Sequence, residues 1–554
     1  MSTSPPALPR AEPMPAIARV EPAPATPRAD LAPMPIQARP APQPGPPGRE
    51  LELKFQLAAP AFKAAQDWPG WAPAAKRPRA RRLLSVYFDT ADGDLERNRA
   101  ALRLRRQGRR QVLTFKWNGT FPGGPFERGE VEAVAASPEP AALGAEVAAA
   151  IARLTQGRTL LPVYATDIRR MTRHVVAGAS EIEVAFDVGA IASGDRTNPV
   201  REIEMELKSG DPADLYALGL AFAAAFPARV SCQSKAERGA LLRSGRPPPV
   251  VRASPGLSAR DPAPTVDEAI GAVIGACLGQ FLANWPAFDT GDKVAAVHQM
   301  RVAMRRLRSV LGLFQRFFPS AECQMFRVQA RDIAAAMAEA RNWDVFIDLV
   351  RLGPAAAFPA EPGFAPLLAA AERRRAAGYE AAGVTLSATG TTRFVLSLQA
   401  FVARRGWRNA LPDEALPALA APARDYAATA LARLHHKAVR RGRHLASLPP
   451  ARLHDLRKDL KQIRYVLEPF GSLLDGRRHV SGYARALAAL QDRLGRINDL
   501  VTAQDLVARL DHDGDPAARR AAGIVMGWCG HDAVANDPAL RKAWKAFRKT
   551  DLFA

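Results

Sequence analysis

Residues 202–208 read Glu202-Ile203-Glu204-Met205-Glu206-Leu207-Lys208, a strict alternation of charged and apolar side chains. Period two belongs to a strand, so Glu202, Glu204, Glu206 and Lys208 share one face while Ile203, Met205 and Leu207 share the other. Outward from this stretch the pattern recurs. Glu50-Leu51-Glu52-Leu53-Lys54-Phe55 places Glu50, Glu52 and Lys54 together. The same parity joins Arg103 to Arg105, Thr114 to Lys116, Arg128 to Glu130 and Glu132, and Glu181 to Glu183 and Asp187. The opposite faces carry Leu, Ile, Val, Phe and Met, as strands that bury one face require. One such strand is the solvated face of an ordinary antiparallel sheet. A whole set with mixed acid and base on one face fits a sheet closed on itself, with a charged lumen and helices over the apolar exterior. Carboxylates suit hard cations such as Mg²⁺ or Mn²⁺, and Arg and Lys suit phosphoryl oxygens. A lumen holding both suits a metal–phosphate complex.

The opening Glu50-x-Glu52-x-Lys54 resembles the E-x-E-x-K signature of CYTH domains, the triphosphate tunnel metalloenzymes. Further segments follow in that family's order. They are Tyr87-Phe88-Asp89-Thr90, Leu102-Arg103-Leu104-Arg105, Leu113-Thr114-Phe115-Lys116 and Arg128-Gly129-Glu130-Val131-Glu132. Then come Thr166-Asp167-Ile168-Arg169-Arg170, Ile182-Glu183-Val184-Ala185-Phe186-Asp187, the 202–208 stretch, and Ser234-Lys235-Ala236-Glu237-Arg238-Gly239. The resemblance implies an eight-stranded antiparallel tunnel over residues 49–245 that hydrolyses triphosphates with Mg²⁺ or Mn²⁺. By motif position it makes Glu50, Glu52, Glu204 and Glu206 metal ligands, with Asp187 a further candidate. It makes Lys54, Arg103, Arg105, Lys116, Arg170 and Lys235 the phosphate contacts, and Glu50, Glu52, Lys54 and Glu206 the catalytic set. No nucleophilic side chain stands out, so a metal-positioned water is the expected attacker, and catalysis rests on positioning and charge neutralisation. His174 and Tyr87 are assigned packing roles.

Residues 246–264, within GRPPPVVRASPGLSARDPAP, read as a Pro-rich linker, and residues 1–48, dominated by Pro and Ala, as a disordered tail. Beyond the linker the texture changes to long Ala/Leu/Arg stretches of helical period over 265–554, so the fold class is α+β: a β tunnel followed by an internally duplicated helical bundle. The duplication is explicit. His298, Arg301, Arg305 and Arg308 map without a gap onto His454, Arg457, Lys461 and Arg464, and Arg341-Asn342-Trp343-Asp344 onto Arg496-Ile497-Asn498-Asp499. Offsets of 0, 3, 7 and 10 fall within an arc of about 80° on a helix. Met300, Leu307, Leu311 and Phe314 lie opposite as a core stripe. Acids are nearly absent from the first copy's basic face, so an anionic partner would relieve its self-repulsion. The repeated H-x-x-R-x-x-x-[RK]-x-x-R pattern resembles the CHAD domain, with Asn342 standing where an acid is expected. That resemblance implies inorganic polyphosphate binding by these eight residues and no chemistry of their own.

Composition agrees and narrows. The 554 residues carry 77 Lys+Arg against 55 Asp+Glu, a net charge of +22, which favours a polyanionic partner, although a GC-rich genome also enriches Arg and Ala. Four scattered cysteines without C-x-x-C spacing argue against a zinc site or a disulfide framework. No signal-peptide core and no run of about 20 apolar residues is evident, so the expectation is a cytoplasmic protein without a membrane partner, associated with polyphosphate granules if the resemblance holds. Nucleic acid is disfavoured because the basic helices lack interleaved aromatics. Other triphosphates (thiamine triphosphate, a nucleotide, or ATP undergoing cyclisation) and a non-catalytic polyphosphate scaffold are the rival readings. The acid set argues against the scaffold, since pure anion binding has no use for it.

Overall fold

The computed structural model describes residues 51–71, 79–120, 127–252, 257, 264–319, 321–474, 477–510, 515–535 and 537–550. Glu50, the 1–48 stretch and most of 253–263 lie outside the described residues, as does the side chain of Arg128.

Nine antiparallel strands form one sheet: β1 (Leu51–Gln56), β2 (Arg79–Asp89), β3 (Ala101–Gln107), β4 (Arg110–Thr120), β5 (Glu127–Val134), β6 (Leu161–Ala177), β7 (Ser180–Ser193), β8 (Arg196–Ser209) and β9 (Arg229–Val230). Their order is β5-β4-β3-β2-β6-β7-β8-β1-β9. The count exceeds the expected eight because β9, only two residues long, pairs with Phe55 and Gln56 on the free side of β1. Two residues are too few for alternation to register. The ladder has two ends, β5 and β9, which do not pair among the described residues; the twisted sheet curls so that β1 to β8 all line one cavity.

The apolar parity packs outward. Leu53, Phe55, Ile182, Val184, Phe186, Ile203 and Met205 are buried in one cluster with Phe62 and Ala65 of helix Ala59–Gln66 and with Leu215, Tyr216, Phe222 and Ala223 of helix Pro212–Ala225. Trp71 stacks on Phe222 with centroids 5.4 Å apart.

That cluster does not stop at the linker. It runs on through Val266, Ile270, Val273, Phe394 and Leu396 of the helical region. Helix Pro212–Ala225 packs against helix Thr389–Ala403, and a Cβ on Gly219 would stand 2.7 Å from Leu53 Cδ1 and 3.9 Å from Leu396 Cδ1, so glycine lets the layers approach. Thr392 Oγ1 donates to Ala228 O at 2.8 Å across this seam. The described end of the linker is pinned too, since Val251 N donates to Asn284 Oδ1 and Asn284 Nδ2 returns a bond to Val251 O.

The helical region opens at a capping box, Thr265 with Glu268. Apolar helices from Val266 to Thr290 are long and hydrophobic enough to cross a membrane by composition, a run that the sequence reading missed. Within its most apolar window 72% is buried inside the fold, which is the behaviour of a core helix. The duplicated segments occupy helices Lys293–Leu313 and Pro450–Phe470. As the stripe requires, Met300, Leu307, Leu311 and Phe314 are fully buried, and Phe314 meets its repeat counterpart Phe470 with centroids 6.1 Å apart. All four cysteines are free thiols.

Candidate active site

The charged parity faces a cavity of about 670 Å³. Register, which the sequence leaves open, sorts its lining into two walls. Across β1, β8 and β7, Glu52 stands opposite Glu206 and Glu206 opposite Glu183, three carboxylates in one cross-strand row. Like charges directly opposite one another destabilise a sheet unless a cation intervenes. The cations present are Lys208 at 2.6 Å from Glu206 and Lys54 at 3.7 Å from Glu52, and His174 Nε2 lies 3.8 Å from Glu183. The other wall, from β2, β3, β4 and β6, carries Arg81, Arg103, Arg105, Lys116 and Arg170.

Between the walls lies a buried ion network. Lys54 is 3.0 Å from Glu204, opposite it in register. Burial alone would lower the Lys54 pKa, but Glu204, Glu52 and Glu202 outweigh it and raise it. Arg170 grips Asp187 with two bonds, at 2.7 and 2.6 Å, and reaches Glu204 at 2.5 Å. Lys235 opens helix Lys235–Ser244, whose capping box (Ser234 with Glu237) fixes its position. A cation in a helix's first turn opposes the dipole; here Asp187 at 2.7 Å, Glu204 at 3.0 Å and Glu202 hold it. Despite burial, these cations keep Asp187 below, and Glu204 well below, the ordinary carboxylate range.

Asp187, Glu202 and Glu204 bring carboxylate oxygens within 4.8 Å of one another, an oxygen donor set suited to a hard divalent cation. Asp187 and Glu202 are already neutralised by Arg170, Lys235 and Arg238, whereas Glu52, Glu204 and Glu206 face the cavity. Parity placed Glu202 beside Glu204 and Glu206 but left it out of the site; its complete burial between Lys235 and Arg238 is what makes it part of the network.

On the basic wall Lys116 pairs with Glu130 at 2.8 Å, and Arg103 lies 3.5 and 3.6 Å from Glu130 and Glu132. Arg105 differs. It donates to Ser85 Oγ at 3.2 Å and has no ion pair among the described residues. Burial, reinforced by Arg103, pushes its guanidinium down to about 10. Tyr87 and His174, assigned to packing, both reach the cavity lining; Tyr87 also stacks on Tyr164 at 4.7 Å. Trp117 keeps to the apolar side, stacked on Phe115 at 5.4 Å.

The helical region concentrates charge at a second place. His298, Arg301 and Arg305 of the first copy come together with Arg457 and Lys461 of the second, and with Arg341, a residue that the repeat marked but the site reading omitted. Burial and these mutually repelling cations push His298 down to about 4, Arg301 to about 10 and Lys461 to about 6. His454 Nδ1 contacts Asn498 Oδ1 at 2.9 Å, Arg464 turns to Glu468 at 2.7 Å, and Arg308 is exposed. The symmetry is broken beyond the helices, since Arg496, counterpart of Arg341, pairs with Asp532 at 2.7 Å.

Comparison with known proteins gives two family matches. The CYTH domain matches residues 48–240 and the CHAD domain residues 272–508. An inorganic triphosphatase of Haemophilus influenzae is 33% identical over 162 residues, 29% of this chain and 46% of that protein. A protein of Mycobacterium tuberculosis strain H37Rv is 26% identical over 325 residues, 54% of this chain and 60% of that one. The chain thus spans about half the length of these curated relatives. Among solved structures, the CHAD domain from the plant Ricinus communis is 27% identical, covering 55% of this chain and 99% of that one with a TM-score of 0.47.

Proposed function

We propose that this chain, a CYTH domain at 48–240 followed by a CHAD domain at 272–508, hydrolyses inorganic triphosphate or short polyphosphate in the sheet cavity and binds inorganic polyphosphate on the helical domain. The observation that carries the reading is Arg105, a half-buried cation of the basic wall without an ion pair among the described residues, close to Arg103 and Arg170. A phosphate chain is the counterion it fits, because its equatorial oxygens accept from several guanidinium and ammonium donors at once. Arg103, Arg105, Lys116, Arg170, Lys235 and Lys54 would hold and orient the chain. Glu52, Glu204 and Glu206, with Glu50 preceding the described residues, would hold Mg²⁺ or Mn²⁺. When bound, that ion supplies charge neutralisation and orients water. Glu183, which lines the cavity in the same carboxylate row and is not assigned to the metal, would take the proton of the attacking water. The similarity of the sheet domain to a named inorganic triphosphatase supports the substrate class. The assay is phosphate release from tripolyphosphate, ATP and thiamine triphosphate with each metal. Release from tripolyphosphate at least as fast as from the others is expected; none from any of them would end the reading.

On the helical domain, the converging cations of both repeats support the polyphosphate proposal. Arg301, Arg305, Arg341 and Arg457 gather there around Lys461, whose pKa burial and neighbouring cations lower to about 6, with Asp499 as the acid beside them, so an added anion would offset their repulsion. Filter binding of long-chain polyphosphate tests it.

A further inference from the structure

A second, open cleft of about 550 Å³ is lined by residues of both domains and of the linker. The sheet contributes Arg196 and Arg229, helix Lys235–Ser244 contributes Arg238, the linker Arg246, Pro247 and Pro248, and the helical domain Leu282, Trp285 and Asp289. Four arginines face one acid among the described lining residues, and that acid is already engaged: Asp289 binds Arg229 at 2.6 Å. Arg229 also lies over the Trp285 ring at 5.3 Å and Phe281 meets that ring edge-on, so the aromatic is already covered. The remaining room is cationic; Arg196 also donates to Leu242 O at 3.0 Å, and Arg238 Nη2 to Asn198 Oδ1 and Pro199 O, all neutral acceptors that compensate none of the positive charge.

One side chain separates this cavity from the catalytic one. Glu202, fully buried, accepts from Lys235 on the catalytic side and, through its other oxygen, from Arg238 Nη1 at 3.3 Å on the interdomain side. Lys235 and Arg238 sit one turn apart on the same capped helix, so both are rigidly placed.

We propose that the interdomain cavity is a binding site for a small tetrahedral oxyanion, inorganic phosphate, and that its occupancy is felt in the catalytic cavity through Arg238, Glu202 and Lys235. An anion beside Arg196, Arg229 and Arg246 draws Arg238 toward itself. Glu202 then has Lys235 as its main partner, and Lys235 becomes less available to a substrate phosphate. Phosphate here therefore slows turnover without occupying the substrate's place, and by reciprocity bound substrate weakens phosphate at the second site. Burial already holds the Arg238 guanidinium below its ordinary range in spite of Glu202, so a second negative charge nearby is favourable.

The binding site stands apart from the catalytic reading; only its coupling rests on it. Calorimetric titration of inorganic phosphate into the full chain carrying Lys54→Ala and Arg103→Ala, which disables the catalytic cavity, measures the site by itself. Adding Arg196→Gln and Arg246→Gln should remove one equivalent of bound phosphate, and unchanged stoichiometry would overturn the site. Arg246→Glu alone, at an exposed position, is the second variant should the pair fail to fold, and must weaken the same phosphate. In tripolyphosphate hydrolysis, added phosphate should lower kcat as well as raise KM in the natural sequence, and raise only KM in Arg246→Glu. Purely competitive inhibition in both would overturn the coupling. If tripolyphosphate is not hydrolysed at all, the catalytic reading fails and the calorimetry still decides the site.

Discussion

Arg105→Gln separates a ligand-binding cation from a structural one, because the two roles give opposite signs. Both the lowered pKa of about 10 and the ordinary arginine value lie well above neutral pH, so the cost of keeping this guanidinium charged in the fold is present in full at pH 7. The depression corresponds to about 3 kcal/mol as an upper bound. Loss of the bond to Ser85 Oγ returns about 1 kcal/mol, so the variant should be more stable than the natural sequence by about 1–2 kcal/mol. Removing one partner of a buried charge pair costs about 2–5 kcal/mol, so kcat/KM for tripolyphosphate should fall by roughly 30- to several-thousand-fold. Thermal melting and steady-state phosphate release on one preparation read both quantities. A variant that melts earlier and keeps its turnover would refute the reasoning, since Arg105 would then be stabilising the sheet and touching no phosphate.

Glu52→Gln with Glu206→Gln breaks the carboxylate row, so turnover should be lost and the metal concentration for half-activity should rise more than tenfold, while the melting temperature holds or increases. Unchanged turnover at saturating metal would remove this pair from the site. A fragment ending at Gly245 strips the helical cover from helix Pro212–Ala225, so it should be aggregation-prone or melt well below the full chain; a well-behaved, fully active fragment would show that the shared core is dispensable. Arg301→Gln with Arg305→Gln should weaken long-chain polyphosphate strongly and reduce the salt slope by roughly 0.7–0.9 for each phosphate-binding cation removed, with tripolyphosphate turnover near normal; an unchanged slope would exclude direct binding of phosphate by these two arginines. Lys461, lowered to about 6 by burial and by Arg305 and Arg457, regains its proton when a polyanion binds, so affinity should be greatest below pH 6 and fall as pH rises toward 8. Calorimetry in buffers of different ionisation enthalpy should detect proton uptake at pH 7.5, which Lys461→Gln abolishes.

Parity was enough to say which side chains point to the cavity side of the sheet. Glu52, Lys54, Arg103, Arg105, Lys116, Glu204 and Glu206 all line the cavity, and each could be read from alternation alone. Alternation has no term for register, however, and register is what sets Glu52 against Glu206 and Glu183 and gathers the arginines on the other wall. Nor does it carry depth: Glu202 has the same parity as Glu204, yet one is sealed behind Lys235 and the other faces the cavity. The helical repeat marked Arg341 as well, but only the packing of its separate helix brings it into the basic cluster. The Pro-rich stretch says nothing of the apolar surface that runs from one side of it to the other.

The ligand-free network has a consequence for the order of binding. Lys235 neutralises Asp187, Glu202 and Glu204, and Lys54 neutralises Glu204 from the opposite strand. A phosphate chain that captures either amine leaves Glu204 with less positive charge in a site too buried for water to compensate, and that favours a divalent cation at Glu204. A divalent cation held at Glu204, as the proposed function requires, would release the amines toward the cavity and so raise affinity for phosphate. Each ligand thus exposes the counterpart of the other, and linkage makes the effect equal in both directions. If the proposed function holds, a preformed metal–phosphate complex would exchange both sets of ion pairs in one step and leave neither wall with an unpaired buried charge.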